Sequence, residues 1–357
     1  MLPTNSPGYH SQLTILKYMD PFLRREISKR IPTLDVINQK APLQFTRVEL
    51  GSDRFVFDEI QISFQIGEAS EDQGSPGEEP NDDFLIDHGK YKIPPDVTNV
   101  KSDVTKLVMK LPFNAPVAYS SKKPIRVRDE VRNQFKEMIG SRLNFVRRLS
   151  INSMYGTVPI PKGMKLRIRD LCLQDNGNEV INKVATILHP SSFPIQNLFI
   201  YPNNPNDPVF KNPYVGSADS LSVGLPGKGI YAPMVTELMN KSIFLYRIEL
   251  LVSDFLEIAK DWVERPRAIG TLFECLTGNA TKYLGAIAEG LKARVTSLSG
   301  RRLKEKISLT VPLPNNAELN FYVGEGDMYL QALGSQPNAV AIGMVVMKKG
   351  TANKFEI

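Results

Sequence analysis

A short apolar ladder recurs over residues 146–248 and limits what this chain can fold into. Its cleanest copy reads Ile168-x-x-Leu171-x-Leu173-x-x-Asn176, and the next reads Ile195-x-x-Leu198-x-Ile200-x-x-Asn203. Val146-x-x-Leu149-x-Ile151-x-x-Met154 precedes them, and Ala218-x-x-Leu221-x-Val223 and Ile243-x-Leu245-x-x-Ile248 follow. The middle apolar residue falls at 149, 171, 198, 221 and 243, in steps of 22, 27, 23 and 22 residues. A unit of that length holds one strand and one return connection. It cannot bury its own apolar face, so successive copies must stack side by side.

The connections fit stacking. Residues 178–188 carry Ile181, Val184 and Leu188 at helical spacing, and 233–239 carry Val235 and Leu238. The links 152–164 and 202–217 are rich in Pro, Gly and Asn and read as irregular. Strand, helix, strand at this spacing predicts parallel strands joined by right-handed crossovers. The expected fold class is α/β: a degenerate leucine-rich-repeat-like parallel sheet with a short helical N-terminal module and a β-rich C-terminal region. The expected divisions are a helical module at 1–42, a β-hairpin region at 43–123, the repeat-like domain at 124–252 and an α+β region at 253–357.

Before the ladder, the pattern predicts two or three short helices over 9–40. The first carries Leu13 and Leu16; Asp20 and Pro21 start a second, with Leu23, Ile27 and Ile31 on its buried face and Arg24, Arg25, Lys29 and Arg30 mostly elsewhere. Pro32 is expected to stop it and Thr33 to cap a third turn. A hairpin follows at 43–66, with a turn at Gly51-Ser52-Asp53 and a bulge at Asp58-Glu59. Residues 67–83 hold seven carboxylates and no basic residue, which predicts an acidic disordered loop. It reads as an interaction segment or, more plainly, as an insertion between strands. A helix is expected at 129–140. After the ladder come a helix capped by Ser253, a strand at 269–273, a helix from Asn279 and a β-rich remainder turning at Pro314-Asn315-Asn316. The last ten residues read as frayed.

Composition narrows the chemistry. Of 357 residues, 42% are hydrophobic and 23% charged, as in ordinary soluble domains. Two cysteines, Cys172 and Cys275, exclude a disulfide-dense scaffold and favour a reducing compartment. No signal peptide is apparent, and the longest apolar run, 339–347, is too short to span a bilayer. The expectation is a cytoplasmic or nuclear protein with no membrane association.

The three histidines, His10, His88 and His189, stand alone, so no metal site is expected. No nucleophile elbow or paired carboxylate in an apolar setting offers a catalytic group, and no cofactor is expected. The run from Gly224 to Gly229 lacks the ending of a phosphate loop and reads as a turn.

Two basic clusters remain. One is Arg142, Arg147, Arg148, Lys162, Lys165, Arg167 and Arg169; the other is Lys292, Arg294, Arg301, Arg302, Lys304 and Lys306. If they met on one face they could follow a phosphate backbone, but no nucleic-acid signature accompanies them. A solvated or protein-binding sheet face is the favoured reading. Its candidate contacts are Arg147, Arg167, Arg169, Gln196 and Phe199.

One resemblance extends over most of the chain. Leu13-Thr14-Ile15-Leu16-Lys17-Tyr18-Met19-Asp20-Pro21, followed by Arg24, Ile27, Arg30, Pro32 and Leu34, resembles the start of a large nematode-expanded family of uncharacterised proteins. In that family an F-box-like helical start precedes a domain of unknown function. Residues 161–166 (PKGMKL), 189–195 (HPSSFPI), 261–264 (DWVE) and 311–316 (VPLPNN) fit as well. The resemblance implies a non-enzymatic substrate receptor of a Skp–cullin ubiquitin ligase, with the Skp adaptor and a substrate protein as partners. The adaptor-binding face would be Leu13, Leu16, Leu23 and Ile27. The Leu-Pro opening and later aromatic of a typical F-box are missing, and the chain reads Ser6-Pro7-Gly8-Tyr9 instead. The same helices would equally serve as a cap on the hairpin at 43–66.

Overall fold

The structure is a computed structural model that describes residues 8–19, 21–51, 54–58, 60–66, 84–86, 104–110, 117–119, 139, 143–152, 158–160, 164–174, 178–227, 230–248, 250–277, 279–298, 307–325 and 340–354. The acidic segment 67–83, the basic stretch 122–128 and, Ile139 apart, the helix expected at 129–140 lie outside the described residues. The chain divides into two compact units, residues 1–193 and 194–357.

The first unit opens with three helices, α1 (Tyr9–Tyr18), α2 (Pro21–Arg30) and α3 (Pro32–Lys40). Pro32 does not simply end α2. It is the first residue of α3, where its missing N–H costs nothing, and no side chain caps that helix. The expected burial on α2 is inverted. Leu23 is 54% exposed and Ile31 43%, whereas Arg24 is 1% exposed.

The reason lies in the carbonyls around it. The last turns of α1 and α3 converge on α2, and their terminal carbonyls have no intrahelical donor. Arg24 supplies five hydrogen bonds: to Asn38 Oδ1 (2.5 Å) and to the carbonyl oxygens of Leu16 (3.2 Å), Pro42 (2.9 Å), Asn38 (2.7 Å) and Ala41 (2.6 Å). The negative ends of two helix dipoles also offset the buried charge. Leu16, Ile37 and Ala41 form the apolar centre beside it, with Leu13, Met19 and Leu34 packed around.

The chain then enters β1 (Gln44–Gly51), β2 (Arg54–Phe57) and β3 (Ile60–Ile66). The slip between Phe57 and Ile60 is a chain reversal, not a bulge, since those two residues pair. Asp58 takes the left-handed conformation (φ 53°) at the reversal, which a short polar side chain tolerates. Further along come β4 (Phe84–Ile86), β5 (Val104–Lys110), β6 (Val117–Tyr119), β7 (Asn144–Asn152), β8 (Val158–Ile160) and β9 (Leu166–Leu173). In this unit the sheet order is β9-β7-β1-β2-β3-β5-β6, and β4 and β8 form a separate antiparallel pair.

The ladder is real: β7 and β9 are parallel, pairing Val146 with Ile168, Leu149 with Leu171 and Ile151 with Leu173. It also starts one rung earlier than the sequence suggested. β1 lies parallel to β7, pairing Phe45, Val48 and Leu50 with Val146, Leu149 and Ile151. Helix α4 (Asn178–Ile187) follows β9 and buries Val180, Ile181, Val184 and Ile187. The His189 imidazole accepts from the Ser191 N–H and caps the turn Pro190–Ser192. Ser192 Oγ in turn accepts from Ile168 N (3.0 Å).

The second unit carries the ladder through β10 (Asn197–Ile200), β11 (Ser220–Gly227), β12 (Ser242–Ile248) and β13 (Leu272–Thr277), all parallel. Between them lie α5 (Pro213–Ser217), α6 (Ala232–Glu237) and α7 (Val252–Glu264), and α8 (Ala280–Leu291) follows. The strands β14 (Arg294–Ser297), β15 (Ile307–Leu313), β16 (Ala317–Glu325), β17 (Val340–Lys348) and β18 (Asn353–Lys354) add in antiparallel fashion, in the order β13-β17-β16-β15-β14-β18.

One row of the core runs straight across these strands: Leu198, Leu221, Ile243, Phe273, Met344, Phe321 and Leu309, all buried. Phe255 of α7 packs on it, 6.0 Å from the Phe273 ring and 6.4 Å from the Phe321 ring.

Four expectations change here. Ser253 does not cap α7, which starts at Val252 without a side-chain cap; Asp254 instead accepts from the buried Tyr231 N–H (3.0 Å). The strand expected at 269–273 starts at Leu272, because Gly270 turns at φ 90°. The run from Gly224 is strand rather than turn as far as Gly227. Residues 353–354 are paired, not frayed, because the Glu318 carboxylate accepts from Gly350 N and Ala352 N and folds the tail back.

Two glycines let tyrosines lie flat against the sheet. Gly224 pairs with Tyr246 and Gly343 with Tyr322; an added Cβ would meet the rings at 2.7 Å and 2.5 Å. The fold is mixed α/β, with parallel rungs in both units, short N-terminal helices and a β-rich C-terminus.

Candidate functional site: an arginine face on the first rungs

On each of β1, β7 and β9, two residues separate the first rung from the second. They are Thr46 and Arg47, Arg147 and Arg148, and Arg169 and Asp170. The step falls at one level on all three strands, because register holds on both sides of it. At the β1 edge Asp58 fills the step. Its Oδ1 accepts from Thr46 N (2.7 Å) and Arg47 N (2.8 Å), and its own N–H donates to the Arg47 carbonyl (2.8 Å).

The step turns charged side chains away from the apolar rungs. Arg47, Arg148 and Asp170 make one paired row, and Glu49, Ser150 and Cys172 make the next. Glu49 is buried, and its carboxylate takes Arg47 on one side and Arg54 (3.2 Å) on the other. Asp170 is also buried and is held by a two-point fork from Arg169, at 2.9 and 3.0 Å. Each buried carboxylate is therefore neutralised, as burial requires. Burial pushes the Cys172 thiol up to about 11, against the opposing pull of Arg148 and a hydrogen bond from Ser150. Burial also pushes the Cys275 thiol up. Neither thiol is a nucleophile at neutral pH.

Arg147 and Arg167 are different. Both are exposed, and among the described residues neither has a carboxylate partner. Phe145 pairs with Arg167 across β7 and β9, and the Arg167 guanidinium carbon lies 5.4 Å from the Phe145 ring centroid. Stacking fixes the plane of that guanidinium and leaves its N–H edge outward. The four strands β1, β2, β7 and β9 hold six arginines, no lysine and the two carboxylates named above.

Of the expected contact residues, Arg147, Arg167 and Arg169 fall on neighbouring positions of β7 and β9, with Arg169 committed to Asp170. Gln196 and Phe199 belong to the second unit. Gln196 is exposed, but Phe199 is 5% exposed and so is not an exposed contact. It stands on the aromatic-rich side of that sheet, with Tyr201, whose ring meets Tyr246 edge-on at 5.5 Å.

In the helical module, Leu16 and Leu13 belong to the internal apolar centre, Ile27 is half-buried and Leu23 is exposed. Within the basic clusters, Arg142, Lys162, Arg301, Arg302, Lys304 and Lys306 lie outside the described residues. The sequence reading missed Phe145, Glu49, Arg54 and Asp170. The rung step of 22 contained a signal for the first, since it places residue 145 beside 167.

Among the described residues no group of three His, Cys, Asp or Glu could hold a metal ion, and no helix is long and apolar enough to cross a membrane. Comparison with family models places a domain of unknown function, DUF3557, at residues 127–278. That span contains every parallel rung except β1, together with Phe145, Arg147, Arg167 and Arg169. No curated protein matches the chain, and no solved structure does.

Proposed function

We propose that the chain is a non-enzymatic binding protein that grips an acidic segment of a partner protein with the arginine face of β7 and β9. The observation that carries this reading is the exposed pair Arg147 and Arg167, set on paired strands beside arginines already neutralised from within. Arginine is weakly hydrated and presents a planar fork, so it suits an interface better than lysine. Side chains on a paired sheet also lose less freedom on binding than those on a loop.

The resemblance to the nematode-expanded family with an F-box-like start extends this to a substrate receptor of a Skp–cullin ligase. Exposed apolar residues on the helical module support that form: Ile15 (53%), Tyr18 (81%), Leu23 (54%) and Val36 (58%). The alternatives are an interaction protein without a ligase link and a nucleic-acid binder.

Affinity capture from nuclease-treated extract separates these readings, comparing the natural chain with Arg147→Glu/Arg167→Glu. The reading expects proteins held by the natural chain and lost by the variant. Identical recovery by both would refute it. Recovery of the Skp adaptor, abolished by Leu23→Asp, supports the ligase form; its absence with intact helices removes that form.

A further inference from the structure

The face that Arg147 and Arg167 define carries a more specific ligand chemistry than general acidity, on the reading that it recognises protein. We infer that the two arginines and the Phe145 ring form a recognition site for a single phosphate monoester, presented as phosphoserine or phosphothreonine on a partner segment.

Geometry is the first argument. Phe145 pairs with Arg167, and Arg147 lies two residues beyond Phe145 on the same strand. Adjacent strands about 4.8 Å apart and a rise of about 3.3 Å per residue put the two arginine Cβ atoms roughly 8 Å apart on one side of the sheet. Two guanidinium forks starting at that separation close on one tetrahedral anion, each at the usual N–H···O distance of about 2.8 Å. The Phe145 ring holds one fork in place before any ligand arrives.

The local charge pattern is the second. Where this face receives a carboxylate, it already does so from within: Asp170 takes the fork of Arg169, and Glu49 takes Arg47 and Arg54. Arg147 and Arg167 are left as an adjacent pair of positive charges without a counter-charge among the described residues. A phosphate monoester carries about −1.5 to −2 charge at neutral pH and three acceptor oxygens, which matches two forks; a lone carboxylate matches one.

The same pattern disfavours a nucleic-acid backbone. Such a track needs cations repeated along its length. Here the arginines flanking the pair are neutralised by two buried carboxylates, so the positive charge is confined to one spot.

The test uses the full chain and three degenerate peptide libraries that differ only at a fixed centre: phosphoserine or phosphothreonine, serine or threonine, and aspartate. Single-stranded RNA serves as a fourth probe. Retention of the phosphorylated library should exceed retention of the other two by about tenfold or more, the factor expected from one added charge-assisted contact. Arg167→Lys keeps the charge but loses the fork and the stack, and should remove most of that preference; Arg147→Ala should do the same. Both positions are exposed, and unchanged far-ultraviolet circular dichroism confirms that the variants fold.

Equal retention of the aspartate and phosphorylated libraries overturns the inference while leaving the acidic-partner reading standing. Retention of none overturns both. Retention of RNA without the phosphorylated library overturns both in favour of a nucleic acid.

Discussion

Removing the Arg24 side chain should release the N-terminal helices from the rest of the first unit. Its guanidinium meets four carbonyls and one side-chain amide oxygen. Asn38 O keeps a second donor from Ala41 N (3.3 Å), so Arg24→Ala leaves the carbonyls of Leu16, Ala41 and Pro42 as the main orphans. At about 1 kcal/mol or more for each unsatisfied buried acceptor, plus the lost dipole contact, the cost is about 3–5 kcal/mol. Arg24→Lys keeps the charge and three donors but not the fork, and should cost roughly half as much.

The loss falls on local opening, not on the core of the second unit. Hydrogen exchange read by mass spectrometry is therefore the assay, peptide by peptide over residues 9–43. Protection in α1 and α3 should fall by about a hundredfold or more in Arg24→Ala, since each 1.4 kcal/mol is a factor of ten. Arg30→Ala is the control: the same helix and residue type, but an exposed side chain. If Arg24→Ala and Arg30→Ala exchange within twofold of each other, the clasp does not hold the helices and the reasoning fails.

Other outcomes follow from the sheets. Gly224→Ala and Gly343→Ala push a methyl into Tyr246 and Tyr322, and should each destabilise the second unit by about 1–3 kcal/mol in urea unfolding. Ser222→Ala, on β11 without such a ring contact printed against it, is the comparison. The Cys172 thiol binds its proton more tightly folded (about 11) than at its ordinary value of 9.0, so it contributes stability that is whole below pH 9 and is lost as pH rises toward 11. The slope should be about 1.4 kcal/mol per pH unit across that window, and Cys172→Ala should flatten it. Both native thiols should resist a disulfide-exchange reagent at pH 8 until denaturant is added.

The ladder was legible because its signal is local and repeated. Leu149, Leu171, Leu198, Leu221 and Ile243 each sit in the same short pattern, and strands so marked can only bury those residues by lying side by side. The same step located the candidate site, since residues 22 apart on β7 and β9 are neighbours. What escaped was set by distant partners. Arg24 reads as a solvated residue on any helical pattern, and only carbonyls 8 to 18 residues away make its burial favourable. Asp58 looked like a bulge because its role is to satisfy two N–H groups on another strand. Gly224 looked like a turn because its reason is a tyrosine ring on the next rung.

The pairing of β1 with β7 has a consequence in time. Phe45 and Val146 stand side by side but are separated by a hundred residues of chain. At a synthesis rate of about 5–20 residues per second, roughly 5–20 s pass between the emergence of the two strands from the ribosome. During that interval β1 can pair with β2 on one side while its other edge, bearing Phe45, Val48 and Leu50, waits without a neighbour. An open apolar edge is a template for the wrong strand. The newborn chain is thus most exposed to misassembly before its first parallel rung exists, and anything that slows translation between residues 51 and 144 prolongs that exposure.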